Sequence, residues 1–452
     1  MMNFCFEISN GARLALDRLH KNGYEAYVVG GSVRNKMLGM SVDDFDITTG
    51  ALPSETKSLF PDFTVVETGI KHGTVTVVIN GENVEITTYR TEGEYTDSRH
   101  PDKVEFTSSL ELDLSRRDFT VNALAYDGEG TVVDLFGGEE DIKNKLIRAI
   151  GNPYERFNED ALRILRAVRF SSVLGFEIEK NTRAAMIKCK RLLAKISKER
   201  IAVEINKLLL GKNVRNALLE NWEILAEIIP EIALMHGFDQ KNKHHVYDIL
   251  THTAIAIENI EPTLQLRLAA LLHDTGKPST CSTDKDGSHH FYGHPSESER
   301  IAERYLTEYR YDNFTKERVL LLVRVHDTVI DEDKVYIKKR LRRMGKDAFF
   351  ELLKLKRADN SAQSPKYLRK DHFDRIEALT YEILSEEQCF SLKDLAVNGD
   401  DLIRLGVPKG KMIGEILGFL LDSVIEERAE NSKNVLLDIT KKYLEDANEI
   451  RK

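Results

Sequence analysis

The run YVVGGSVRNKMLGMSVDDFDITT constrains this chain more than any other stretch, because it joins a diglycine to a pair of aspartates. In an extended strand, residues two apart point to the same face. Asp44 and Asp46 therefore present two carboxylates side by side, while Phe45 and Ile47 turn to a core. Left bare, such a pair repels and one member takes up a proton. Hard oxygen ligands with spare coordination positions suit Mg²⁺, which also holds substrate phosphates. The apolar strand Ala26 to Val29 leads into Gly30-Gly31, where missing side chains let backbone N–H groups approach a phosphate. Arg34 then follows to clamp a phosphate oxygen. A lone D-x-D strand is as readily a solvated edge; the diglycine and the arginine before it favour chemistry.

This stretch resembles the nucleotidyltransferase signature of the polymerase-β superfamily, closest to the branch of tRNA nucleotidyltransferases and bacterial poly(A) polymerases. One departure is visible: Asn35 stands where that signature has an aspartate. The resemblance implies Mg²⁺ at Asp44 and Asp46, and nucleotide binding by Gly30, Gly31 and Arg34. Glu85, on the strand VEITTYR, is a further candidate metal carboxylate.

The first 150 residues read as mixed helix and strand. A helical pattern at 7–22 precedes strand 26–29, and strands follow at 63–67, 74–79 and 83–89, the last two joined by the hairpin signal Asn80-Gly81. A polar stretch, RTEGEYTDSRHPDKVEF, then leads to RRDFTVNALAYD and to a second hairpin pattern, LAYDGEGTVVDLFGG. Arg116 and Arg117 beside Asp118 and Asn122 suit a triphosphate and a ribose hydroxyl. RRDFTVNALAYD resembles the second motif of the same family. The segment TGIKHGTVTVVI and the loop holding Arg99, His100 and Pro101 resemble CCA-adding enzymes, in which such a loop helps to change specificity from C to A.

From Pro153 onward the pattern is helical, and the run EDALRILRAVRF reads as one helix with Asn158 placed to cap it. Asp160 and Arg163 then share a face, as a surface i,i+3 pair worth about 0.2–0.5 kcal/mol also would. The run resembles the family's E-D-x-x-R element, a protein template for the incoming base. Cytosine and adenine both offer an amino donor beside a ring-nitrogen acceptor, so an Asp and an Arg admit them and leave U or G with unmatched polar groups. Arg166 and Arg169, on the same run, are expected to join the nucleotide site.

A second constellation lies in the middle of the chain: His252, His273-Asp274 in LLHDTGKP, His294, His326 and Asp359. Imidazole with carboxylate suits divalent metals. The order H…HD…D resembles the HD phosphohydrolase domain, which implies an unidentified divalent metal at His252, His273, Asp274 and Asp359. His294 and His326 remain for a second metal or a phosphate. The resemblance implies a phosphoester substrate such as a 2′,3′-cyclic phosphate or a 2′-nucleotide.

At 452 residues, with 41% apolar and 31% charged, the chain has room for several globular domains. The fold expected is α+β: a polymerase-β-like head at 1–150, then helical neck (151–240), HD (241–365) and tail (366–452) domains, the tail resembling that of bacterial CCA-adding enzymes. No run of 18 apolar residues and no signal-peptide pattern occurs, so the expected location is the cytosol, away from membranes. Cys5, Cys189, Cys281 and Cys389 have no metal-ribbon spacing. The net charge of −9 hides two basic runs, at 183–200 and 334–346, each able to track a phosphate backbone or to form a solvated helix face. The expected reaction is template-independent addition of CCA to the 3′ end and acceptor arm of tRNA from CTP and ATP. A poly(A) polymerase, a partial C- or A-adding enzyme, a hydrolase working chiefly at the HD site, and an RNA-binding protein with a vestigial site are the alternatives. Oligomeric state is not legible.

Overall fold

The computed structural model describes residues 6–42, 44–92, 104–385 and 392–449. The Arg99-His100-Pro101 loop, Cys5 and Cys389 lie outside them. The chain divides into two compact units, residues 1–234 with 308–310, and residues 235–307 with 311–452.

The first unit opens with the helix Asn10–Lys21, capped by Ser9, whose side chain accepts the Ala12 N–H. Strands β1 (Ala26–Val29), β2 (Asp46–Thr49), β3 (Thr64–Val66), β4 (Thr74–Ile79) and β5 (Glu82–Thr88) follow. A short pair, β6 (Arg90–Glu92) and β7 (Val104–Phe106), precedes β8 (Leu124–Tyr126) and β9 (Val132–Asp134). Seven strands form one sheet in the order β3-β4-β5-β2-β1-β8-β9. Within this sheet, among the described residues, β2 and β5 alone pair in parallel, and β6 pairs with β7 apart from it. The β4–β5 hairpin turns on Asn80 and Gly81, both at positive φ (52° and 87°), as a two-residue turn matched to strand twist demands.

Alternation sets the faces. Phe45, Ile47, Val84 and Ile86 are buried while Asp44, Asp46 and Glu85 are exposed. Strand β2 begins at Asp46, so Asp44 stands just ahead of the strand rather than within it. Gly30 ends β1 at φ 78°, ψ −136°, a conformation side chains resist, and opens the helix Gly31–Met37.

Beyond the sheet, the helix Pro153–Glu159 is capped by Asn152, not Asn158, and stops at Asp160, whose backbone is extended. A second helix, Leu162–Leu174, starts there, and Asp160 Oδ1 accepts the Leu162 N–H at 3.0 Å. The expected single helix is thus two. Asp160 breaks it because its carboxylate satisfies an N-terminal amide of the next helix.

Among its described residues, the second unit has helices and two two-residue strands, Ser282–Thr283 and His289–His290. Its buried face includes Leu250, Ala254, Leu268, Leu272, Val319, Leu322, Phe349 and Leu352. Leu402, Ile416, Leu420 and Leu436 form a separate core near its C-terminal end. No helix among the described residues is long and apolar enough to cross a membrane.

Candidate active site and a second polar centre

A cavity of about 930 Å³ in the first unit collects most of the sequence-predicted nucleotide residues: Gly30, Gly31, Arg34, Asp46, Arg117, Asp118, Asn122, Asp160, Arg163, Arg166 and Arg169. Asp44 and Glu85 are not among its lining residues, but the β2–β5 register sets Glu85 directly opposite Asp46. Although Asp46 reaches solvent, desolvation by the protein around its carboxyl, then the Glu85 charge, with a further contribution from Asp44, raises it above its ordinary range, against the pull of Arg117. Three carboxylates that repel in this way are a donor set suited to a divalent cation.

Cationic groups dominate the rest. Seven arginines and two lysines line the cavity against three aspartates, so its local charge is positive although the chain is net negative. Arg34 is held by Asn35, whose Oδ1 accepts from Nη2 at 2.8 Å and from Nε at 3.1 Å, and Nη1 donates to Asn122 Oδ1. Both partners are neutral, so the guanidinium charge stays available. Burial lowers Arg34 to about 10, which leaves it charged at neutral pH. Phe170, to which the sequence reading gave no role, lies under three guanidiniums, 4.9 Å from Arg34, 5.6 Å from Arg166 and 4.1 Å from Arg169.

Asp118 is fully engaged. Its Oδ2 accepts from Arg166 Nε at 2.7 Å and Nη2 at 2.6 Å, and its Oδ1 accepts from Asn122 Nδ2 and from the Phe119 N–H, both at 2.8 Å. Asp118 thereby orders Asn122 and Arg166 around the cavity. Asp113, which the sequence reading missed, anchors Arg116 at 2.9 Å and Arg117 at 3.6 Å. Its i,i+3 and i,i+4 spacing to them was the available signal. A Cβ on Gly30 would lie 3.0 Å from Arg117 Nη1, so the glycine makes room for that guanidinium.

Asp160 and Arg163 take separate partners. Asp160 Oδ2 accepts from Arg200 Nη2 at 2.8 Å, whereas Arg163 Nη1 donates to Glu159 at 2.7 Å and its Nη2 to the Arg116 carbonyl at 2.9 Å. The helix Lys198–Leu209 supplies Arg200, and also Glu204, which meets Arg169 at 3.2 Å and Arg166 at 3.9 Å.

The second unit brings the whole His/Asp constellation together. Ligand atoms of His252, His273, Asp274 and Asp359 all lie within 4.8 Å of one another, as do those of Asp274, His294 and His326. Asp274 belongs to both groups. Its Oδ2 lies 3.3 Å from His273 Nε2 and 3.9 Å from His252 Nε2; its Oδ1 lies 3.5 Å from His294 Nε2 and 3.6 Å from His326 Nε2. In every histidine Nδ1 faces a backbone carbonyl: Ala362 for His252, Ala270 for His273, Phe291 for His294 and Val323 for His326, at 2.7–3.3 Å. With Nδ1–H donating to those carbonyls, each Nε2 is aimed into the cluster and would offer its lone pair to a metal once its own proton is displaced. His273 and Asp274 are both buried, and Asp274 Oδ2 also meets the Lys277 ammonium at 2.7 Å.

Burial disfavours a charged His273, but Asp274 and Asp359 raise it to about 10. Burial opposes ionisation of Asp274 too, and His273 and Lys277 hold it well below the usual carboxylate range. Lys277, 2.7 Å from Asp274 and also bonded to Gln240, escaped the sequence reading although it ends the quoted T-G-K. A cavity of about 730 Å³ opens onto Asp274, His294, His326, Asp359 and Lys277.

The basic runs are largely committed within their own units. In the first, Lys190 meets Glu227, Lys198 meets Glu308 and Arg200 meets Asp160. In the second, Lys334, Lys338, Lys339 and Arg342 pair with Glu382, Glu427, Glu426 and Asp422.

Comparison with known proteins agrees with the geometry of the first unit. The family "Poly A polymerase head domain" matches residues 26–148, "Probable RNA and SrmB- binding site of polymerase A" matches 175–235, and "tRNA nucleotidyltransferase domain 2" matches 293–440. The CCA-adding enzyme of Ligilactobacillus salivarius is 36% identical over 433 residues, which cover 95% of this chain and 96% of that protein. The chain belongs to the CCA-adding enzymes. The crystal structure of the Bacillus stearothermophilus CCA-adding enzyme in complex with CTP superposes with a TM-score of 0.75 at 29% identity, over 97% of this chain and 98% of that one. The Thermotoga maritima CCA-adding enzyme complexed with tRNA shares the fold, with a TM-score of 0.58 at 20% identity over 96% and 94% of the two chains. As a CCA-adding enzyme, the chain has the mixed-sheet head and helical remainder that the sequence predicts.

Proposed function

We propose that this protein adds C, C and A to the 3′ end of tRNA from CTP and ATP without a nucleic-acid template. One observation carries the reading: a single cavity joins the Asp46 edge of the sheet, an arginine-lined wall and the Asp160/Arg163 pair. The head at 1–150 performs transfer, 151–240 selects the base, and 241–365 and 366–452 form the HD and tRNA-binding parts. The tRNA 3′-hydroxyl oxygen bonds to the α-phosphorus and gives its proton to solvent, the bond from that phosphorus to the oxygen bridging to the β-phosphorus breaks, and that oxygen leaves with pyrophosphate.

Asp44 and Asp46, with Glu85 as a third carboxylate beside Asp46, would hold Mg²⁺, which when bound would supply charge stabilisation at the attacking and leaving oxygens. Arg34 and Arg117, close to Gly30 and Gly31, bind the triphosphate; Arg166 and Arg169 complete the positive wall. Asn122, fixed by Asp118, faces the ribose. Asp160 accepts from the base's exocyclic amino group and Arg163 donates to its ring nitrogen, which admits C and A and rejects U and G. The test is incubation with Mg²⁺, a tRNA lacking its 3′ CCA, and each nucleotide singly and together. Extension that stops after CCA is expected. Long A tails on unrelated RNA would refute this in favour of a poly(A) polymerase, and arrest after two C residues would indicate a partial enzyme.

A second activity is supported by the convergence of His252, His273, Asp274 and Asp359 beside His294 and His326. The donor set fits divalent metal: four imidazole Nε2 atoms and two carboxylates converge, with Asp274 offering one oxygen to each half. Bound there, metal would activate water toward a phosphoester. Lys277 holds positive charge beside Asp274, where a substrate phosphate would be attracted.

A further inference from the structure

We propose that Arg200 is the positioning residue of base selection, holding Asp160 as an acceptor, an inference that rests on the base-edge reading above. An Asp and an Arg three residues apart tend to pair with each other, which would consume both the acceptor and the donor edge. Here each is drawn to an outside partner. Arg200 Nη2 donates to Asp160 Oδ2 at 2.8 Å, and Glu159 takes Arg163 at 2.7 Å. The other Asp160 oxygen caps the helix Leu162–Leu174 through the Leu162 N–H. With both oxygens tied in different directions, the plane of the carboxylate is fixed, and each oxygen retains a lone pair for an amino group.

The element that supplies Arg200 is itself fixed. Arg200 meets Asp160, Glu204 meets Arg169, and Leu208 accepts from Ser172 through its carbonyl, so contacts advance together along both helices. The helix Lys198–Leu209 therefore runs parallel to Leu162–Leu174, with positions 200, 204 and 208 on one face. Arg200 also lines the cavity, and its Nη1 is buried without a hydrogen-bond partner among the described residues. The guanidinium is thus held against Asp160 on one side and keeps a donor on the other.

The experiment measures kcat/KM for CTP and for UTP on tRNA lacking CCA, with the full-length protein and its Arg200→Ala, Arg200→Gln, Arg200→Lys and Asp160→Ala variants. Thermal unfolding verifies that each variant is folded; should Arg200→Ala not fold, Arg200→Gln carries the measurement. Loss of a charge-assisted hydrogen bond predicts a fall in the CTP-to-UTP ratio of about ten- to a hundredfold. Lysine, which restores the charge without the planar fork, is expected to recover part of the ratio. If Asp160→Ala collapses the ratio while the neutral Arg200 variants keep the wild-type ratio, or lose CTP and UTP use in equal proportion, the proposal is overturned. An unchanged ratio in Asp160→Ala overturns the base-edge reading itself, and the proposal with it.

Discussion

Replacing Asp118 with alanine, alone and together with Arg166→Met, isolates the interaction that organises the arginine wall. The carboxylate is buried, and burial alone would raise it; the Arg166 charge and the Asn122 hydrogen bond instead hold it down to about 2. Against an unperturbed aspartate near 3.9, that gap is worth about 2.5 kcal/mol of net stabilisation. The loss on truncation is larger, about 3–5 kcal/mol, because Arg166 keeps its charge in a cleft shared with Arg34 and Arg169. Removing Arg166 as well relieves that repulsion, so the double variant falls short of the sum of the singles by about 2 kcal/mol. Urea unfolding of the four proteins, followed on the transition of the first unit, gives the coupling. The sign with pH is fixed by the depressed value: the contribution is complete above the unfolded aspartate range and is lost as pH falls toward about 2. The Asp118→Ala deficit should therefore be the same at pH 8 and pH 5. A coupling below about 0.5 kcal/mol, or a deficit that changes between those pH values, would refute the reasoning.

Asp44→Asn and Asp46→Asn should each lower nucleotide transfer by about a thousandfold or more while tRNA affinity, measured by filter binding, stays near wild type, because ligands of a charge-stabilising ion act in the transition state. Transfer retained by either variant removes that residue from the catalytic role. Asp274→Asn should empty the second centre of metal, as read by elemental analysis, and abolish hydrolysis of 2′,3′-cyclic phosphates or 2′-nucleotides while CCA addition persists. Wild-type protein that hydrolyses none of these when saturated with Mg²⁺, Mn²⁺, Ni²⁺ or Co²⁺ would reduce the HD segment to a helical spacer.

Legibility from sequence follows the range of the interaction that decides each feature. The sheet was readable because alternation around Phe45 and Ile47 and the Asn80-Gly81 turn are local, and β1, β3, β4 and β5 fall within a residue of their expected ends. The break at Asp160 was not, since the helical period runs through it. What ends the helix is a side chain that caps Leu162 and is claimed by Arg200, forty residues on. Likewise the order of His252, His273-Asp274 and Asp359 names a ligand set, but only the fold assigns Asp274 Oδ2 to one group of partners and Oδ1 to the other.

The two basic runs carry this argument furthest, because composition alone treats them as alike. In 334–346, the acids that pair with Lys338, Lys339 and Arg342 stand 80 or more residues later, on and just after the helix Lys411–Ile425. Those pairs bind two segments of one unit together, and their charge is then neutralised where an RNA backbone would have needed it. In 183–200, Arg200 is also paired, yet its partner is Asp160 at a cavity wall, so neutralisation there fixes the orientation of a carboxylate instead of an element. On the base-selection proposal above, the same chemistry serves architecture in one run and recognition in the other, and the difference lies in where the partner sits. Substituting Lys338 should therefore lower thermal stability without altering base choice, whereas substituting Arg200 should alter base choice. A Lys338→Ala variant with a changed CTP-to-UTP ratio would break that distinction.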